Sequence, residues 1–256
     1  MNLLRKNFLT ENYLFKGKTM TMPTGKFELK KFASRKAAYQ EGLEEILSLG
    51  FSPADYIHQF PAFTGHLTIA RFLTFYEAYK MTLGVAGHIA EIGFYIGAGG
   101  LFFAKLTKLF EPESLTLIHG FDWFQGAKLT DEEKYVEEGA YRADYDKVMR
   151  LIRAQKLDNM VHVHNLDVTK DLDRFFEENP HLQFKLIFVD AGLYDVVNST
   201  LKHFWPRLTS GGIMMFDHFN HEVAPGETRA IKEFMPDAKM RTFPFGWMPT
   251  AYVVKP

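Results

Sequence analysis

Residues 87–110 read GHIAEIGFYIGAGGLFFAKLTKLF, and the fold prediction starts from this stretch. It begins with a short apolar strand, His88 to Ile92, and continues through a glycine-rich turn into a helix. Glycines let a backbone approach a ligand closely, and the free N–H groups at the start of a helix favour an anionic group. The stretch therefore predicts a strand, loop and helix that cradle a nucleotide-like ligand.

The spacing of its acid and its glycines indicates which ligand. Glu91, Gly93, Gly97 and Gly99 follow the pattern E-x-G-x-x-x-G-x-G, which differs from the G-x-G-x-x-G of dinucleotide-binding proteins. This looser turn is typical of S-adenosylmethionine binding, and we predict these four residues as cofactor-binding. A tight strand-to-helix connection without a ligand is the alternative interpretation of the same glycines.

The amino-acid composition argues against several other classes of function. The 256 residues are 46% hydrophobic and 24% charged, as in ordinary soluble domains. With 30 Lys and Arg against 31 Asp and Glu, nothing favours a nucleic-acid partner. The lack of cysteine excludes disulfides, thiolate metal ligands and a cysteine nucleophile. No apolar run reaches the length of about 18 residues that a membrane span needs, and Arg5 and Lys6 interrupt any secretory signal. We expect a cytoplasmic protein without a membrane partner.

The chain divides near residue 85. Residues 1–85 are predicted to form a helical accessory cap, with helices over Ala37–Leu49 and Leu67–Leu83. Residues 86–256 alternate strands with helices, which predicts an α/β fold with a doubly wound, mostly parallel sheet. Its strands are predicted at residues 88–92, 115–121, 160–164, 184–189, 213–216 and 250–255.

The predicted strands end on acids. Glu91, Asp122, Asp190 and Asp217 close four of them, and Asp167 lies just beyond the third. Ligands of open parallel sheets bind at the carboxyl ends of the strands, so these acids are expected to converge on one crevice. Any one of them alone could be a helix cap or turn former. Five in succession favour a binding site.

Three of the acids suit the donors of S-adenosylmethionine, which are an ammonium, two ribose hydroxyls and an adenine amine. We assign Glu91 to the methionine end, Asp122 to the ribose and Asp167 to the adenine. Trp123 is a further cofactor-binding candidate because it could stack on the adenine, although core packing is the usual role of an aromatic ring. Asp190 completes the predicted cofactor-binding set.

Asp190, Asp217 and His218 form a second set. Two carboxylates beside a neutral donor can bind Mg²⁺, and the metal would lower the pKa of an acceptor hydroxyl and orient it. Asp190 or His218 is the predicted catalytic base that removes the hydroxyl proton.

Two segments carry a family resemblance. They are residues 181–219, HLQFKLIFVDAGLYDVVNSTLKHFWPRLTSGGIMMFDHF, and residues 225–234, PGETRAIKEF. With the V-D-x-x-x-Y, Gly-Gly and G-E-T-x-A motifs, residues 67–235 resemble the macrocin O-methyltransferase (TylF-type) family, which methylates sugar hydroxyls on antibiotics and other glycosides. The resemblance implies a Rossmann-like class I methyltransferase with a seven-stranded sheet. It also implies a divalent metal at Asp190, Asp217 and His218, and a homo-oligomer built through N-terminal helices.

Two positions depart from that family. It commonly has Asp at the position of Gly192 and an acid at the position of His218, so this chain carries less negative charge there. The leading prediction is an S-adenosylmethionine-dependent O-methyltransferase acting on a sugar or glycoside hydroxyl, assisted by Mg²⁺. Three alternatives stay open. They are a methyltransferase-like binding module without chemistry, a nicotinamide-dependent oxidoreductase, and an iron-dependent hydroxylase using the cluster from Asp217 to His221.

Overall fold

The computed structural model describes residues 33–128, 138–222 and 224–256. In these residues one sheet of six strands forms, in the order β3-β2-β1-β4-β5-β6. The first five strands are parallel, and β6 runs antiparallel to β5. The strands are β1 His88–Ile92, β2 Ile118–Asp122, β3 Val161–Asn165, β4 Phe184–Val189, β5 Leu208–Phe216 and β6 Ala251–Val254.

Helices cover both faces of the sheet. Alternate strand residues point to opposite faces, so Ile89 packs in one apolar cluster with α4 and α5, and Ala90 packs in the other with α7 and α8. The helices are α1 Ala33–Ser48, α2 Pro53–His58, α3 Phe60–Phe63, α4 His66–Met81, α5 Ala98–Phe110, α6 Tyr145–Ala154, α7 Leu172–Glu178, α8 Tyr194–Phe204 and α9 Pro225–Phe234. No helix of the described ranges has both the length and the apolar character needed to cross a bilayer.

The predicted doubly wound α/β fold is confirmed, with six strands in the described residues in place of the expected seven. Between α9 and β6 the chain forms an isolated bridge, Arg241 with Tyr252, and one hydrogen bond from the Thr250 N–H to the Phe216 carbonyl of β5, but no further strand. Pro236, Pro244 and Pro249 lie in this segment, and proline has no N–H to donate to a strand ladder. The prolines explain why this segment does not extend the sheet.

The chain reverses its direction of travel across the sheet between β1 and β4. It steps from β1 outward through β2 and β3 and then returns to the other side of β1. Gly93 leaves β1 at this switch point with φ +86°, and a Cβ there would lie 2.1 Å from the Asp190 carbonyl oxygen. The two strand ends therefore meet closely at the edge where such sheets bind ligands.

Helix α4, which was predicted as part of the cap, packs directly on this sheet. Its Phe75, Ala78 and Tyr79 are fully buried. The Tyr79 hydroxyl donates to Glu111 Oε2, which also accepts a 2.6 Å hydrogen bond from Lys185 Nζ on β4. These contacts fix α4 over the sheet. The boundary at residue 85 stays a prediction, and residues 1–32 of the predicted cap lie outside the described residues.

Candidate active site

The glycine turn is built around Glu91. Its Oε2 accepts a 2.6 Å hydrogen bond from the Gly100 N–H in the first turn of α5. A Cβ at Gly99 would lie 2.3 Å from Glu91 Oε1, so a side chain there would displace the carboxylate. Gly97 precedes α5 in the left-handed region, with φ +81°. The Glu91 carboxylate therefore requires glycine at position 99, and the left-handed backbone favours glycine at position 97, whether or not a ligand lies above the turn.

Glu91 lies on the inner side of this turn. It is only 3% exposed, and burial, together with the charge of Asp190, raises its pKa to about 8. At neutral pH the carboxyl holds its proton. Its contact with the methionine end of the cofactor stays a prediction.

Asp122 joins the end of β2 to the same turn. Its Oδ2 accepts a hydrogen bond from the Tyr95 N–H, and its Oδ1 accepts one from the Phe124 N–H, each at 2.7 Å. A carboxylate oxygen can accept more than one hydrogen bond, so ribose hydroxyls remain suitable donors to this group. The neighbouring Trp123 donates its indole N–H to the Gly126 carbonyl at 2.7 Å. Both residues therefore hold the loop beside the switch point.

Among the hydrogen bonds of the described residues, the Asp167 carboxylate accepts only from residues close to it in the sequence. It accepts from Lys170 Nζ at 2.7 Å, from the Thr169 hydroxyl at 2.6 Å and from the Thr169 N–H at 3.0 Å. This is the pattern of a turn former. Its predicted contact with adenine stays a prediction.

Asp190, Asp217 and His218 come together at the ends of β4 and β5. One ligand atom from each lies within 4.8 Å of the others, which makes them the sole group of this kind found in the described ranges. Asp217 and His218 are buried, whereas the Asp190 side chain is 29% exposed. Asp190 is therefore the acid of this set that a ligand reaches most readily.

Arg71 of α4 lies across these two acids, a contact that the sequence-based prediction did not include. Its Nη2 is 2.8 Å from Asp190 Oδ2, and its Nη1 is 2.7 Å from Asp217 Oδ1. A signal for it was present, because Arg71 is the sole charged residue between Leu67 and Tyr76, in an otherwise largely apolar part of the predicted helix Leu67–Leu83. A lone cation in such a helix requires a buried partner.

The three predicted metal ligands differ in charge. Burial and the charge of Asp217 raise the pKa of Asp190 to about 7. Burial lowers the pKa of His218 to about 4, so its imidazole is neutral at physiological pH. The set therefore presents at most two negative charges, and the guanidinium balances one of them.

A divalent metal does not fit this arrangement. The donor set itself has the right chemistry, since carboxylate oxygens and an imidazole bind divalent cations. However, Arg71 already holds one oxygen of each carboxylate. A metal bound by the remaining oxygens of Asp190 and Asp217 would therefore lie beside a guanidinium that already occupies one oxygen of each.

Glu227, in the G-E-T-x-A motif, is a further buried acid beside this group. It is fully buried at the start of α9, and its Oε1 accepts a 2.7 Å hydrogen bond from the His218 N–H. Burial raises its pKa well above the ordinary value. A Cβ at Gly192 would lie 3.3 Å from His218 Nδ1, at φ +67°. Glu227 and Gly192 together position the segment that carries His218.

Comparisons with known proteins agree with this geometry. A family model described as "Methyltransferase domain" matches residues 90–219, slightly more than half of the chain. No curated protein matches the sequence.

Solved structures show the same fold. A structure of the calicheamicin methyltransferase CalS11 has a TM-score of 0.76 at 23% identity, covering 87% of this chain and 93% of that chain. The apo structure of CalS11, described as a TDP-rhamnose 3'-O-methyltransferase, has a TM-score of 0.70 at 24% identity, covering 87% and 94%. The O-methyltransferase NovP has a TM-score of 0.60 at 17% identity, covering 73% and 80%. With its glycine turn at the β1/β4 switch point and a family model over half of its length, the chain belongs to the methyltransferase domain family.

Proposed function

We propose that this protein is an S-adenosylmethionine-dependent O-methyltransferase that acts on a hydroxyl of a sugar or glycoside. The observation that supports this proposal most directly is the arrangement of acids at the switch point. Glu91 lies under the glycine turn, Asp122 lies beside it, and Asp190 lies opposite, at the end of β4. Strand-end carboxylates around a glycine turn suit a ligand that carries an ammonium and ribose hydroxyls.

The predicted cofactor-binding residues fit this group. Gly93 and Ala98 of the turn are at least partly exposed at the switch point, and Asp122 can accept from ribose hydroxyls. When bound, S-adenosylmethionine supplies a methyl group on a sulfonium, which is the electrophile of the reaction. Glu91 would support the loop at the methionine end, while Asp167 and Trp123 would lie at the adenine end.

Asp190 is the base in this proposal. Transfer of the methyl group to the acceptor oxygen would release the hydroxyl proton, and the Asp190 carboxylate would take it. Asp190 is preferred over His218 because its side chain is 29% exposed, whereas that of His218 is 7% exposed. Asp217 and Arg71 hold the Asp190 carboxylate in place.

A pocket that begins at His221, whose ring centroid lies 5.7 Å from that of His218, has hydroxyl and charged side chains in its lining that suit a hydroxyl-rich acceptor. Its volume is about 580 Å³, and its lining includes His221, Thr228, Arg229 and Lys232 from α9 and the segment before it. Hydroxyl, guanidinium and ammonium groups hydrogen-bond sugar hydroxyls readily. The description of CalS11 as a TDP-rhamnose 3'-O-methyltransferase also supports a sugar acceptor. Assignment to the macrocin O-methyltransferases in particular rests on the sequence resemblance alone.

Assembly into a homo-oligomer is retained as part of the proposal. Large apolar side chains stay exposed around the N-terminal helices, including Leu49 at 63% and Ile57 at 73%. Exposed apolar residues that cluster on one part of a surface are typical of contact between subunits.

The cofactor proposal is tested by calorimetric titration with S-adenosylhomocysteine, the product of the donor. We expect binding by the wild type and at least about a tenfold loss of affinity in Asp122→Asn, because the amide replaces a charged acceptor. Asp158→Asn, at an exposed aspartate, is the matched control and should bind like the wild type. Unchanged affinity in Asp122→Asn contradicts the ribose assignment, and preferential binding of NAD contradicts the cofactor.

The reaction is tested by following labelled methyl transfer from S-adenosylmethionine to a panel of glycosides and nucleotide sugars. Binding of the cofactor without transfer to any member would favour the binding module instead. That alternative is retained because Gly192 and His218 stand where the macrocin O-methyltransferase family, which this chain resembles, commonly has acids. The hydroxylase alternative has less support, because His221 is not part of the described three-ligand group.

A further inference from the structure

The guanidinium of Arg71 spans the two acids at the heart of the site. Each of its terminal nitrogens contacts a different carboxylate, Nη1 with Asp217 at 2.7 Å and Nη2 with Asp190 at 2.8 Å. A planar guanidinium with donors on both arms suits two carboxylates on neighbouring strands. Arg71 thus occupies one oxygen of each of the two acids that a metal ion between them would use.

Packing holds this arginine in place. Its Cζ lies 5.2 Å from the ring centroid of Phe75 and 5.4 Å from that of Phe188. It extends from α4, which is anchored through the buried Phe75 and Tyr79. Withdrawing the guanidinium would leave Asp217, whose side chain is 2% exposed, without its cation. Such a buried and uncompensated charge is costly.

A positive charge is already fixed between the two acids. Of the three candidate ligands only Asp190 and Asp217 are acids, and the adjacent Gly192 adds no side chain. One guanidinium contacts both acids. A divalent ion added beside Arg71 would face a fixed positive charge within hydrogen-bonding distance of its own ligands.

We infer that Arg71 takes the place of a divalent metal between Asp190 and Asp217, so that this site works without a bound metal. Arg71 is then a positioning residue. It orients the two carboxylates, and it keeps Asp190 directed toward the acceptor. The family resemblance implies a metal here, and the geometry of this chain replaces it with a side chain.

The test measures metal binding alone, so its outcome is independent of methyl transfer. Purified protein is titrated with Mn²⁺, and free Mn²⁺ is followed by electron paramagnetic resonance. We expect no equimolar binding by the wild type at micromolar Mn²⁺. In Arg71→Met, a similarly long but uncharged side chain frees both carboxylates, and we expect an equimolar Mn²⁺ site to appear. Asp217→Asn in the same background should remove that site.

Thermal unfolding with and without Mn²⁺ gives a second readout. Ligands that bind only the folded state raise the melting temperature, so Mn²⁺ should stabilise Arg71→Met and leave the wild type unchanged. Arg150→Met, at an exposed arginine of α6, is the matched control and should behave like the wild type. If Arg71→Met fails to fold without Mn²⁺ and folds with it, the inference is supported in the same way.

Two outcomes would overturn the inference. The first is equimolar, micromolar Mn²⁺ binding by the wild type that Asp217→Asn abolishes. The second is a folded Arg71→Met variant that binds no Mn²⁺, because the two carboxylates would then not form a metal position for Arg71 to fill.

Discussion

At the residue scale, the proposed reaction centres on Asp190, which contacts Arg71 and Gly93 at once. Its Oδ2 accepts a hydrogen bond from Arg71, and its backbone carbonyl closes against Gly93 at the end of β1. The same residue therefore touches the cofactor turn and the acid pair. Its partial exposure distinguishes it from Asp217, which is held inside by Arg71.

Asp190→Asn keeps the size of this side chain but removes its capacity to take a proton. Since general-base catalysis contributes about 10²–10⁴-fold, we expect kcat to fall by at least about 100-fold. The affinity for S-adenosylhomocysteine should change by less than about tenfold if the charge serves mainly proton transfer. Initial rates at saturating donor and calorimetric titration measure the two effects.

His218→Asn is the comparison variant for the base assignment. Its side chain is 7% exposed, and its neutral ring is expected to position rather than to take the proton. We expect a loss of kcat of less than about tenfold in this variant. A larger loss in His218→Asn than in Asp190→Asn would assign the base to the histidine instead.

At the element scale, we expect the junction of β1 with α5 to control binding of the proposed cofactor. Glu91 lies under the first turn of α5, and two glycines of that turn leave room for its carboxylate. Helix α4 completes the site, because its packing on the sheet brings Arg71 to Asp190 and Asp217 at the ends of β4 and β5. The site is therefore assembled where β1, β4, β5, α4 and α5 meet.

Gly99→Ala tests this junction. The added Cβ would lie 2.3 Å from Glu91 Oε1, so the carboxylate must move and the turn must shift with it. We expect S-adenosylhomocysteine affinity to fall by more than about tenfold, together with a loss of stability of roughly 1–3 kcal/mol from overpacking. Calorimetric titration and urea unfolding measure the two changes.

Gly42→Ala in α1 is the control for helix propensity. A Cβ there meets no atom within 4 Å, so the change should leave binding intact and stabilise α1 by at most about 1 kcal/mol. Equal affinities in both alanine variants would contradict the close packing of Glu91 against α5.

At the scale of the whole molecule, buried titratable groups make stability depend on pH. Burial lowers the pKa of His119 to about 3 and that of His164 to about 4. In the window between these values and the ordinary histidine pKa of 6.5, the unfolded chain binds more protons, so stability falls as pH falls. Above that window both states hold these histidines neutral.

The buried acids act with the opposite sign above pH 6.5. Burial raises the pKa of Glu91 from 4.5 to about 8, so the folded protein keeps a proton that the unfolded chain has lost. We expect the free energy of unfolding to decrease as pH rises from 6.5 toward 8, by about 1.4 kcal/mol per pH unit for each such group. Urea unfolding across this range measures the slope.

Glu91→Gln should remove the contribution of one group and flatten this slope. Glu113→Gln, at an exposed glutamate, is the control and should leave it unchanged. A wild-type stability that is constant or rising between pH 6.5 and 8 would contradict the protonated state of Glu91.

Much of the fold was predictable because its signals are local. The apolar run of β1, the glycines after it and the helical periodicity of α5 lie within 24 residues, and the structure places β1 at the predicted residues 88–92. The convergence of Glu91, Asp122, Asp190 and Asp217 also followed from the rule that parallel strands present their carboxyl ends at one edge. The six strands predicted from the residues are also present, whereas the seventh strand that the family resemblance implied does not form in the described residues.

The sequence by itself determined the class of fold, the glycine turn and the set of acids around it, because strand periodicity and turn chemistry act between near neighbours. Only the tertiary structure decided what those acids contact. Arg71 is 119 residues from Asp190 and 146 from Asp217 along the chain, and no local pattern joins them. The packing of α4 on the sheet brings them together, and it replaces the predicted metal with a guanidinium.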